Sequence, residues 1–84
     1  MTISAKTFRF DDSTLWVDLQ DGRTVGVPIA WFPRLLNATP QQRADGKISG
    51  SGQGLHWEVL DEDISVAGLL AGRGDMTVQH PAAA

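Results

Sequence analysis

No cysteine occurs among the 84 residues, so disulfide staples and thiolate metal sites are excluded. That absence fits a reducing compartment, where chains seldom rely on disulfides. Histidine is scarce as well, confined to His56 and His80. Basic residues are few: seven Lys and Arg stand against ten Asp and Glu, giving a net charge of −3 and a pI near 5.0. They are scattered, at Lys6, Arg9, Arg23, Arg34, Arg43, Lys47 and Arg73. Duplex binding draws most of its affinity from clustered cations, so direct nucleic-acid binding is disfavoured. No run approaches the roughly 18 apolar residues of a membrane-spanning helix. The opening MTISAKTF has neither the apolar segment nor the cleavage pattern of a secretion signal. A cytoplasmic protein without membrane attachment is the resulting expectation.

What remains is ordinary globular material, 42% hydrophobic and 20% charged, the balance of a folding chain. Its length allows one domain with a small core. With no staple to supplement that core, homodimerisation is expected. The densest apolar stretch is Val25 to Leu36, VGVPIAWFPRLL. It starts as a strand, breaks at Pro28, and runs into Trp31, Phe32, Leu35 and Leu36.

Before it, Phe8 and Phe10 lie two apart and share one face of a strand. Asp11, Asp12 and Ser13 form a polar turn. Leu15, Val17 and Leu19 alternate with Trp16 and Asp18 in a second strand, and Asp21-Gly22 signals a hairpin to Thr24–Pro28. The register is decidable. A two-residue loop would scatter the aliphatics over both faces. A three-residue loop, Gln20-Asp21-Gly22 with Gly22 left-handed in a bulge, sets Leu15 opposite Val27 and Val17 opposite Val25. It also puts Trp16 across from Gly26, on the face away from the aliphatic stripe, with the indole over bare backbone.

Pro33 suits the first turn of a helix over about Phe32 to Asn37. Thr39-Pro40 starts another, with Thr39 as N-cap, and Asp45-Gly46 closes it. Lys47 to Trp57 reads as a second hairpin with a Gly-Ser-rich tip, Gly50 to Gly54. Asp61, Glu62 and Asp63 precede Ile64 to Ala71 and read as the acidic start of a helix that buries Ile64, Val66, Leu69 and Leu70. Gly68 inside that helix costs roughly 1 kcal/mol against Ala. The fold class is therefore α+β, a small antiparallel sheet of two hairpin-like units with two or three short helices. Residues 1–72 form one domain, and 73–84 read as a flexible tail.

Chemistry is sparse. The glycine-rich tip continues into Leu55-His56-Trp57 as strand, so it lacks the helix a phosphate loop needs. The adjacent carboxylates Asp61 to Asp63 do not by themselves converge as a cation site requires. Ser49, His56 and Asp61 carry no nucleophile-elbow signature. No catalytic residue, cofactor site or metal site is expected, and His56 reads as a cross-strand surface residue. Trp31 and Trp57 read as core. Trp16 reads as an interface anchor, unless a helix covers it, since aromatics and Arg lead at binding hot spots. Arg34 reads either as a surface charge or as a buried pair with a carboxylate such as Asp61 or Asp63. The buried pair is the expectation, because Arg beside so many apolar residues needs a partner.

Asp21-Gly22-Arg23, Phe32-Pro33-Arg34-Leu35, Ala38-Thr39, Trp57 and Leu60 to Ser65 together resemble the signature of a small bacterial family, domain of unknown function 2442. The resemblance spans about residues 6–72. It implies a cytoplasmic domain, often encoded beside another small protein in an arrangement like a toxin–antitoxin pair. Some relatives add a DNA-binding helix-turn-helix domain. About a dozen residues follow Gly72 here, too few for one, so operator binding is not expected. The resemblance carries no catalytic residues.

The functional expectation is a non-enzymatic protein-interaction module, the antitoxin-like component of a two-gene system. Its candidate contacts are Trp16, Arg34, Asp61, Glu62 and Asp63, of which the acidic segment Asp61 to Asp63 suits a basic partner. The alternative is a transcription-regulatory or nucleic-acid-binding accessory domain.

Overall fold

A computed structural model describes residues 3–72. The tail expected at 73–84 lies outside the described residues. The elements are β1 (Ala5–Phe10), β2 (Thr14–Leu19), β3 (Thr24–Pro28), a single 3-10 turn (Ile29–Trp31), α1 (Pro33–Leu36), α2 (Pro40–Ala44), β4 (Lys47–Ser49), β5 (Gly54–Trp57), β6 (Glu62–Ser65) and α3 (Val66–Leu70). The strands make two antiparallel three-stranded sheets, β1-β2-β3 and β4-β5-β6. The α+β expectation holds, with two sheets in place of one.

The first sheet forms as its alternation dictates. Leu15 pairs with Val27, Trp16 with Gly26 and Val17 with Val25. Gly22 sits at φ +95°, its N–H donates to Leu19 O at 3.1 Å, and Leu19 N–H donates to Arg23 O at 2.8 Å. This is the three-residue bulged loop, and glycine alone adopts that φ without strain. Leu15, Val17, Leu19 and Val27 are buried on one face.

The helices are short and each is held by specific caps. Thr39 and Gln42 form a reciprocal capping box at the start of α2, satisfying two orphan N–H groups at once. Arg43 reaches back to α1, donating from Nε to Leu35 O at 2.7 Å and from Nη2 to Leu36 O at 2.9 Å. Both are carbonyls of the last turn of α1, the end where a helix runs short of donors, and Leu35 O also accepts from Ala38 N–H at 3.2 Å.

The region 61–70 departs from the expected helix. Glu62–Ser65 is a strand paired with β5, and the helix begins only at Val66, with Ser65 Oγ accepting from Gly68 N–H at 2.7 Å. Ile64 is buried from the strand, and Leu70 stays exposed. The burial order along 62–66 alternates strictly, a period-2 pattern disguised because a carboxylate, Glu62, occupies an inward position. The acidic triplet therefore caps no helix.

One core joins the layers: Leu15, Val17 and Val27 from the first sheet, Leu55, Trp57 and Ile64 from the second, with Ile29, Phe32, Leu35, Val66 and Leu69 from the connections. Trp57 is fully buried, meets Phe8 and Phe10 edge-on at 5.5 and 6.2 Å, and donates its indole N–H to Arg43 O at 2.8 Å. Trp31, expected in the core, is only partly buried against it. Among the described residues no helix is long and apolar enough to cross a membrane.

Candidate functional site

The outer face of the first sheet carries Trp16. A Cβ on Gly26 would come within 2.5 Å of its ring, so the indole lies flat on the neighbouring strand. Its Nε1 donates to Asp11 Oδ2 at 2.8 Å, and the Arg9 guanidinium lies 6.0 Å from the ring centroid. Arg9 also bridges to Asp18 at 2.7 Å, and Asp18 accepts from the Thr24 hydroxyl at 2.7 Å. These bonds hold two carboxyls below their ordinary range. For Asp11 the main cause is the Trp16 N–H, followed by the Ser13 backbone N–H. For Asp18 it is the Thr24 hydroxyl, with Arg9 adding to it. Trp16 ends half-buried, tied at its edge rather than sealed over.

Arg34, Asp61 and Glu62 meet where β5 turns into β6. Asp61 is the only non-glycine at positive φ among the described residues, at +51°, a conformation Asp tolerates better than most. Its N–H donates to Glu58 O at 3.2 Å, and its own carbonyl accepts from Arg34 Nη1 at 2.5 Å. Arg34 lies 3.8 Å from Glu62 Oε1. The expected ion pair is thus corrected on two counts. Arg34 is bound by the Asp61 backbone and faces the Glu62 carboxylate, and its side chain is 57% exposed. The turn it fastens displays Val59, 77% exposed, between Glu58 and Asp61. Neither of those two carboxylates makes a hydrogen bond or ion pair among the described residues.

Asp63 goes elsewhere. Strand alternation turns it away from Glu62, and it meets His56 Nδ1 at 2.6 Å on the outer face of the second sheet. The cross-strand surface role expected of His56 is what the structure shows. The five candidate residues therefore fall in three places, and Arg34–Glu62 and His56–Asp63 occupy opposite faces of β6. No group of three or more His, Asp or Glu among the described residues is placed to hold a metal ion.

One feature escaped the sequence. A groove of about 620 Å³ opens between β1 and α2, lined by Phe8, Phe10, Pro40 and Ala44, with Arg43 and Asp12 at its margins. The Phe8 and Phe10 spacing was a legible signal for a strand face. Nothing local told that α2 would stand off from it.

Two three-stranded antiparallel sheets with three short helices define a small α+β domain. Two solved structures share it. A protein of unknown function from Rhodospirillum rubrum superposes with a TM-score of 0.81 at 36% identity, over 90% of this chain and 94% of that one. An uncharacterized protein from Chromobacterium violaceum gives 0.76 at 29% identity, over 96% and 79%. The chain belongs to the family described as Protein of unknown function (DUF2442), which it matches over residues 5–75. No curated protein matches it.

Proposed function

We propose that this domain is a non-enzymatic protein-interaction module, and that its partner presents a basic, partly apolar surface to the turn between β5 and β6. The observation that carries this is Val59, 77% exposed on a turn held in place by Arg34. An exposed aliphatic on a fixed backbone loses little freedom on binding. The flanking Glu58 and Asp61 steer a cationic partner, as does the net charge of −3. Trp16 supplies a second, flatter contact. Of the six basic residues described, Arg9, Arg23, Arg34 and Arg43 are engaged within the domain, which favours a protein partner over nucleic acid.

In its antitoxin-like form, the module would bind and silence a small protein encoded beside it. The test is co-expression with the products of the flanking genes, followed by native mass spectrometry. A stoichiometric complex, with relief of any growth arrest the partner causes alone, is the expected result. A folded domain that forms no complex with either product would overturn the proposal. Retarded DNA at low salt, in the same samples, would instead support the accessory role.

A further inference from the structure

The edge of β1 faces the groove, and the hydrogen-bond register fixes which backbone groups it offers. Asp11 N–H donates to Thr14 O at 3.0 Å, so residues 11 and 14 form a hydrogen-bonded pair. Bonded and open positions alternate along an antiparallel strand. Arg9, opposite Trp16, and Thr7, opposite Asp18, therefore also turn their backbone groups toward β2. The N–H and C=O of Phe8 and Phe10 point the other way, off the sheet. β1 is an edge strand. Among the described residues that edge makes one backbone bond, from Ala5 N–H to Gly52 O at 2.6 Å. Phe8 and Phe10 themselves line the groove. An apolar floor thus lies beside two residues of unpaired strand edge, the arrangement that strand addition uses.

Charge selects the occupant. Arg9 is held by Asp18, Arg43 is spent on the carbonyls of Leu35 and Leu36, and the Asp11 carboxylate holds Trp16. Asp12 is exposed and makes no hydrogen bond or ion pair among the described residues. The charge left uncommitted at the margin is negative.

We infer that the groove between β1 and α2 receives an extended segment of a protein partner as a fourth strand on β1, its apolar side chains over Phe8 and Phe10 and a Lys or Arg at Asp12. This rests on the domain being a protein-interaction module and adds a site distinct from the β5–β6 turn. The other occupants are a second copy of the chain and the chain's own residues.

Amide hydrogen exchange on the full chain comes first: the Phe8 and Phe10 amides should exchange fast at low and high concentration alike. A random nonapeptide display library is then panned on the full chain, and the enriched peptides are synthesised. They should alternate apolar and polar residues beside a Lys or Arg, and should slow Phe8 and Phe10 exchange by about tenfold or more on binding. Ala44→Arg fills the groove from the exposed side of α2 and should weaken binding by about tenfold, while Asp12→Lys weakens it less. Both should leave the urea midpoint unchanged, since neither residue is buried.

Several results would overturn the proposal. Phe8 and Phe10 amides protected at every concentration would mean the chain covers its own edge, and protection appearing only at high concentration would mean a second copy does. A library that enriches nothing alternating, or winners that bind Ala44→Arg undiminished, would also remove it. Winners that protect the β5–β6 turn would do so too, yet leave the interaction module standing.

Discussion

Each sheet lays a tryptophan flat on a glycine, Trp16 on Gly26 and Trp57 on Gly46, yet one indole stays outside and the other lies in the core. The outer one satisfies its N–H with an exposed carboxylate, Asp11. The inner one must find an acceptor inside the protein and uses the Arg43 carbonyl, which ties α2 to the second sheet. The same local device thus yields a surface feature in one sheet and a junction in the other. Strand phase decides between them, because residues one apart face opposite sides.

The contrast predicts unequal losses. Trp57→Ala should cost about 3–5 kcal/mol, the range for a large buried aromatic, and Trp16→Ala about 1–2 kcal/mol, for partial burial and one hydrogen bond. Urea denaturation measures both, and equal losses would erase the distinction between the sheets.

Next come the glycines. Gly46→Ala should destabilise by about 1–3 kcal/mol, because Trp57 is hemmed in by Phe8 and Phe10 and cannot yield. Gly26→Ala should cost less, because Trp16 can swing toward solvent. The reverse order would mean that Trp16 is the better fixed of the two.

Ser65→Ala tests the second sheet's unexpected turn from strand to helix. It should cost about 1 kcal/mol through the lost N-cap, and hydrogen exchange should rise at Gly68 while Ile64, in β6, stays protected. Faster exchange beginning at Ile64 would favour a helix that starts earlier.

The smallest effect is in acid. Asp18 in the first sheet, and Asp11 and Asp21 in the turns that join its strands, titrate below their ordinary 3.8. For Asp21 the main cause is the Arg23 backbone N–H, with its guanidinium second. A folded-state pKa below the unfolded one stabilises the fold above pH 3.8, and that contribution fades as the pH falls through the lowered values. Stability should thus be flat toward neutrality with respect to these groups and should decline below about pH 4. Asp11→Asn should flatten that decline slightly, as expected of exposed, solvent-screened groups. An unchanged acid limb in the variant would remove Asp11 from the account.

The first sheet was legible because its alternation is uninterrupted. Leu15, Val17 and Leu19 set the phase, and only one loop length keeps Val25 and Val27 on the same face. The N-cap at Thr39 was legible for a similar reason, since the Thr-Pro pair that starts α2 is local in sequence. The strand at 62–65 was not. Glu62 carries a carboxylate at an inward position, so the triplet Asp61-Glu62-Asp63 mimics a helix start while its members face three ways. Ser65 was the better helix signal, three residues before the N–H it caps. The candidate site suffered the same fault: residues adjacent in sequence were grouped together, and Arg34 found the Asp61 carbonyl, a partner no side-chain reading offers. The groove depends on how α2 stands from β1, a tertiary spacing that no local pattern encodes.

The central claim is that the turn between β5 and β6 is a contact surface for a basic protein partner. The most direct measurement is calorimetric titration of the co-purified partner against the wild-type domain and Val59→Lys, with urea unfolding of both. Affinity should fall by about tenfold or more, as for loss of a hot-spot residue with a positive charge set against a basic partner, while the unfolding midpoint stays put because Val59 is exposed. An undiminished affinity in a folded Val59→Lys variant would contradict it.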